Sequence, residues 1–151
     1  MALRVYLAHS AHEKLLGRGI QRELEAMGYE VYNPFDYEEK NRPFWDENDE
    51  VIWDGAPTKK QCMVIIDTDL KEVENSDIMV CIYPEELVTF GITCEMKHAW
   101  DNGIPVYTYM PEKIKGHPWI VGMSEKTFTH LGELIKFMGE LIFFVRSDQM
   151  E

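Results

Sequence analysis

The chain has 151 residues, 45% hydrophobic and 12% aromatic, too apolar for a disordered protein and enough for one domain. At this length a domain buries about 70% of its unfolded surface. A net charge of −12 excludes long contacts with a nucleic-acid polymer, which need clustered Lys and Arg, but leaves room for a small nucleotide at a locally electropositive site.

In chain order, Arg4-Val5-Tyr6-Leu7-Ala8 predicts a first strand that runs into His9-Ser10. Ser10-Ala11-His12-Glu13 fits a capping box, with Ser10 as N-cap and Glu13 reaching back, ahead of a helix that stops at Gly28. A second strand over 29–32 is halted by Asn33-Pro34. From Phe35 to Pro57 the chain is irregular, polar and aromatic. Its acidic stretch from Asp46 to Asp54, bracketed by Trp45 and Trp53, reads as a solvated loop or as a lid over a ligand.

A second helix follows Pro57-Thr58, with Cys62, Ile66, Leu70 and Val73 at helical spacing. The apolar run 78–83 is that of a central parallel strand covered on both faces. A loop over 84–90 leads to a helix over 91–103, whose apolar face holds Ile92, Met96, Ala99, Trp100 and Gly103. Residues 105–109 form a fourth strand, 127–129 a short fifth, and 131–142 a last helix. The alternation predicts a single α/β domain over 1–151, a flavodoxin-like doubly wound sheet of about five mostly parallel strands. Ligands of such sheets sit beyond the carboxyl ends of the strands.

No apolar run approaches the ~18 residues of a membrane span, and no secretory pattern opens the chain. Cys62, Cys81 and Cys94 lack zinc or disulfide spacing. The expectation is a cytoplasmic protein with reduced thiols and no membrane partner.

Among residues able to do chemistry, Glu95 stands out. It lies three residues after Ile92 and four before Ala99, so it joins the inward face of its helix, in the first turns where the dipole favours an anion. A carboxylate on a packing face is costly unless it is paired or functional. It is therefore either a catalytic group or a buried acid held by a tyrosine or arginine. Asp67 and Asp69, two residues apart on a helix, do not face each other, so one can point to the cleft while the other is solvated. Asp77 fits a turn that satisfies backbone donors. His9 and His12 lack a third ligand for zinc, and Gly17 and Gly19 follow no strand, so they make no phosphate-binding fingerprint. No metal or other cofactor is expected.

The stretch Asp69-Leu70 through Asn75-Ser76-Asp77 and the strand 78–83, followed by Gly91 and Glu95, resembles the nucleoside 2-deoxyribosyltransferase family. The spacing from Asp69 to Glu95, Tyr6 in the first strand and Gly103-Ile104-Pro105-Val106 also fit. The match is good over 4–9 and 66–109 and holds only in outline elsewhere. The resemblance implies Glu95 as the nucleophile at C1′ of a 2-deoxyribosyl group, Asp69 as the acid at the nucleobase, and Tyr6 as the residue that orients the nucleophile. Thr89 stands where the transferases carry an Asp for the sugar 5′-hydroxyl. The related 2′-deoxynucleoside 5′-phosphate N-hydrolases use a hydroxyl residue there, so Thr89 is either a phosphate-binding residue or simply a helix cap. Gly91 and His9 are further substrate-binding candidates. Where the family has Leu-Gly-Tyr-Ala after the nucleophile, this chain has Met96-Lys97-His98-Ala99.

The implied partners are a small deoxynucleoside or deoxynucleotide and a nucleobase, and the implied assembly is a homo-oligomer. Three readings follow: transfer of deoxyribose between bases, hydrolysis of a deoxynucleoside 5′-monophosphate, or a nucleotide-binding module without turnover.

Overall fold

A computed structural model of the chain describes residues 2–10, 13–36, 58–84 and 90–149. Strand β1 (Arg4–Ala8) leads through α1 (Lys14–Met27) to β2 (Glu30–Tyr32). Helix α2 (Lys59–Glu74) precedes β3 (Ile78–Ile82), and α3 (Phe90–Asp101) precedes β4 (Val106–Tyr109). A 3-10 turn (Glu112–Ile114), the short α4 (Pro118–Met123), β5 (Lys126–Phe128) and α5 (Leu131–Gln149) complete the chain. All four strand pairings are parallel, in the order β2-β1-β3-β4-β5. This is the doubly wound flavodoxin-like order, whose switch point lies between β1 and β3.

Strand alternation divides the core. Val5 and Leu7 with Ile78, Val80 and Ile82 face α1 and α5, meeting Ile20, Leu24, Leu134, Met138 and Ile142. Tyr6 and Ala8 with Met79, Cys81 and Tyr83 face the opposite way, toward Val73 of α2 and Ile92, Met96 and Ala99 of α3. Each fully buried aliphatic side chain contributes roughly 1.5–3 kcal/mol of burial. The register sets Tyr6 beside Tyr32 on one side and Met79 on the other.

Helix α1 ends where a glycine allows it to. Gly28 is left-handed (φ 107°), and its N–H returns to the carbonyls of Glu25 and Leu24. The expected cap at Ser10 is not the one used. The helix starts at Lys14 with Glu13 as N-cap and no side-chain cap. Ser10 still belongs to the buried strand end, where its carbonyl accepts from the Glu13 N–H (3.1 Å) and its Oγ finds no partner among the described residues. The capping box belongs to α2, where Thr58 Oγ1 accepts from the Gln61 N–H and Gln61 Oε1 from the Thr58 N–H.

Two apolar stripes are narrower in the structure than their periodicity predicts. In α2, Val73 is buried but Ile66 is 47% exposed. Val73, near the C-terminal end, is the residue of α2 that is fully buried, so the helix meets the core mainly through its last turns. In α3, Trp100 is 54% exposed, because the buried arc is centred on Ile92, Met96 and Ala99. The last helix runs seven residues beyond the expected 142, carrying Phe143 and Phe144 as exposed helical residues.

Candidate active site

Tyr6, Asp69 and Glu95 converge on the face of the sheet covered by α2 and α3. Tyr6 comes from β1 and is fully buried. Asp69 precedes Val73 by one helical turn and so shares its inward side, half-buried, while Asp67 is exposed. Glu95 precedes Ala99 by one turn in the same way and is also half-buried. Gly91 lies one turn before Glu95, and an added Cβ there would sit 3.7 Å from Glu95 Oε1, in ordinary contact with it.

The electrostatics follow from this convergence. Burial first, then the charges of Glu95 and Asp69, raise the Tyr6 phenol well above the ordinary tyrosine range. Tyr6 is therefore a neutral hydroxyl at any physiological pH. Its Oη has no partner at ordinary hydrogen-bond distance, yet Glu95 is close enough to accept from it weakly. Glu95 is thus a neighbour of the hydroxyl without being an ordinary hydrogen-bond partner of it. Tyr32 stacks on the Tyr6 ring with centroids 5.5 Å apart, and the Arg4 guanidinium lies 6.0 Å from the Tyr32 ring. Arg4 is in turn paired with Glu72 of α2, so the stack is tied to the helix that carries Asp69.

Two neighbours of Glu95 escaped the sequence reading. Cys81 lies fully buried on β3, its thiol held protonated by burial and then by the Glu95 charge. Tyr83, just past β3, is also buried, and its Oη lies 3.0 Å from Thr93 Oγ1 in the first turn of α3. Burial and then Cys81 push its phenol up, with a smaller contribution from Glu95. The sequence signal was available: Thr93 lies two residues before Glu95, and Tyr83 is the last residue of the apolar run.

His9 sits at the end of β1, 5% exposed, stacked on Phe35 at 4.6 Å. Its Nδ1 is 2.9 Å from the Ser10 carbonyl oxygen and its Nε2 3.1 Å from Asn33 Oδ1. Burial lowers its pKa, and a neutral imidazole has one N–H to donate, so one of these contacts is a hydrogen bond at a time. Asp77 accepts from the Arg4 N–H at 2.8 Å, as its turn position predicts. Thr89, His12 and the acidic stretch from Asp46 to Asp54 lie outside the described residues. Among the described residues no group of three His, Cys, Asp or Glu could hold a metal ion, and no helix is long and apolar enough to cross a membrane.

A half-buried carboxylate beside a neutral hydroxyl donor and a second carboxylate is a set suited to nucleophilic attack with acid assistance. The sequence matches no protein-family model and no curated protein. Solved structures are similar in shape. A 2-deoxyribosyltransferase of Bacillus psychrosaccharolyticus has a TM-score of 0.65 at 18% identity, covering 87% of this chain and 90% of that one. The chain shares that enzyme's fold. A conserved protein of Enterococcus faecalis V583 has a TM-score of 0.66 at 14% identity, with 93% and 99% covered. The CMP N-glycosidase BcmB of Clostridium botulinum has a TM-score of 0.56 at 18% identity, with 93% and 98% covered. At these identities the similarity is one of fold.

Proposed function

We propose that this chain cleaves the N-glycosidic bond of 2′-deoxynucleosides and passes the sugar to another nucleobase. The observation that carries the reading is the buried Tyr6 hydroxyl flanked by the Glu95 and Asp69 carboxylates. The folds of a deoxyribosyltransferase and a nucleotide N-glycosidase support it.

In this reading a Glu95 oxygen attacks C1′ and the C1′–N bond breaks, its electron pair leaving with the base. Asp69, protonated in the substrate complex, delivers its proton to that base, worth about 10²–10⁴-fold. The glycosyl-Glu95 ester divides one hard displacement into two easier ones. Nitrogen of an incoming base then attacks C1′, gives up its proton to Asp69 and frees Glu95. Tyr6 orients the Glu95 carboxylate before it attacks and again as it leaves C1′. Gly91, one turn before Glu95, and His9, at the end of β1, are the further substrate-binding residues in this reading.

Hydrolysis of a 5′-monophosphate is the second reading, favoured by the hydroxyl residue Thr89 and by the nucleotide-cleaving neighbour. There water replaces the second base, and Thr89 donates to the phosphate. Unpaired thiols at Cys62, Cys81 and Cys94 suit a cytoplasmic setting, and the exposed Phe90, Trp100 and Trp119 suit association of identical copies.

Chromatography of the protein with deoxynucleosides or their 5′-monophosphates, with and without a second free base, tests the reading. A new nucleoside that requires the acceptor base is the expected product. Free base released from a monophosphate regardless of acceptor establishes hydrolysis instead. Product that persists undiminished in Glu95→Ala, or no product at all, overturns both.

A further inference from the structure

We infer that Tyr83 is a positioning residue for Glu95, acting through Thr93 as a latch across the β3–α3 connection. The inference rests on the glycosidic reading for its effect on rate, but its geometry is independent of it.

Tyr83 and Thr93 stand on either side of that connection, one just past β3 and the other in the first turn of α3. Tyr83 is held through its ring, its main chain and its hydroxyl. It is buried in the core with Cys81 and Ile92, its backbone N–H donates to the Tyr109 carbonyl at 3.1 Å, and its hydroxyl meets Thr93 Oγ1 at 3.0 Å. Thr93 is two residues from Glu95, on a turn whose leading N–H groups have no partner within the helix. A helix start frays most easily. Fixing Thr93 to a rigid strand end fixes the direction from which the Glu95 side chain leaves the helix. Misplacing a reacting group by about 1 Å costs on the order of 10²-fold in rate, so a single bond at this position is felt in turnover.

The test compares Y83F, T93V, T93S and the Y83F/T93V double variant in the full chain. Y83F and T93V are each expected to lower kcat about tenfold, the rate equivalent of one net hydrogen bond, with KM little changed. T93S restores the hydroxyl and keeps most of the turnover. The double variant loses no more than T93V alone, because the Tyr83–Thr93 bond is already gone there. Amide hydrogen exchange of a peptide covering 90–96 reads the latch without reference to activity, and is expected to speed up in Y83F and T93V but not in T93S. Additive losses, or a change confined to KM, overturn the inference. Unchanged exchange at 90–96 also overturns it. If Glu95→Ala shows no activity loss while exchange behaves as expected, the glycosidic reading fails and the latch stands. Should Y83F not fold, the T93V and T93S pair decides.

Discussion

Between two carboxylates, the buried Tyr6 phenol stays protonated, and its hydroxyl is unsatisfied by ordinary hydrogen bonds. Leaving a buried polar group in that condition costs about 1–3 kcal/mol. Such a cost is tolerated where the group acts on a ligand or a reacting neighbour. Tyr6→Phe separates the two roles. Thermal denaturation is expected to find the variant as stable as the parent or more so, while kcat falls about tenfold or more because a donor to a charged group is gone. A loss of stability without a loss of turnover would make the hydroxyl structural. The same residue shows why Glu95 could be read from its helix alone. The violation of an apolar face was visible at i−3 and i+4, whereas the neighbouring hydroxyl comes from a strand far away in the chain.

At the scale of elements, α1 shows how two glycines in one helix differ. Gly17 and Gly19 are neighbours in sequence, but a Cβ at Gly17 would lie 2.3 Å from His9 Nε2, and one at Gly19 would meet nothing within 4 Å. Gly17 lets the helix pass over the His9 ring. Gly17→Ala is expected to destabilise by about 1–3 kcal/mol through overpacking, partly offset by a helix-propensity gain of about 1 kcal/mol. Gly19→Ala has the gain without the clash and is expected to stabilise. Denaturant titration of the pair checks both, and equal shifts would mean that the His9 ring moves aside at no cost. The pair also marks a limit of sequence reading: it was clear that these glycines bind no phosphate, but not that one of them touches a histidine on β1.

For the whole molecule, His9 packs against Gly17 of α1, whereas the sheet order puts α2 and α3 on one face and with them Tyr6, Asp69, Glu95 and Gly91. The same face leaves large apolar groups uncovered: Phe90 is 80% exposed, Trp100 54% and Trp119 63%. Scattered exposed side chains are ordinary, but three large aromatics on α3 and α4 are more than solvation favours. If identical copies cover them, sedimentation equilibrium at micromolar concentration finds an assembly, and Trp119→Glu shifts it toward the monomer. A wild-type monomer under the same conditions would remove association from the reading.

Element type and order were legible from periodicity and punctuation. Gly28 and Asn33-Pro34 ended elements where expected, and the unbroken run over 78–82 announced a strand buried on both faces. These signals are local, because a turn or a cap is decided by backbone geometry within a few residues. Glu95 stood out for the same reason, as a polar break in a short apolar pattern, whereas Asp69 was preferred to Asp67 only through the family resemblance. The exposure of Ile66 and of Trp100, the shift of the capping box to Thr58 and the contact between Tyr83 and Thr93 were not. Each depends on which surfaces the sheet brings together, and side chains distant in sequence meet only once burial has fixed the layers. Only the tertiary structure decided which inward-facing groups share one cleft, because burial selects a face but packing selects the neighbour.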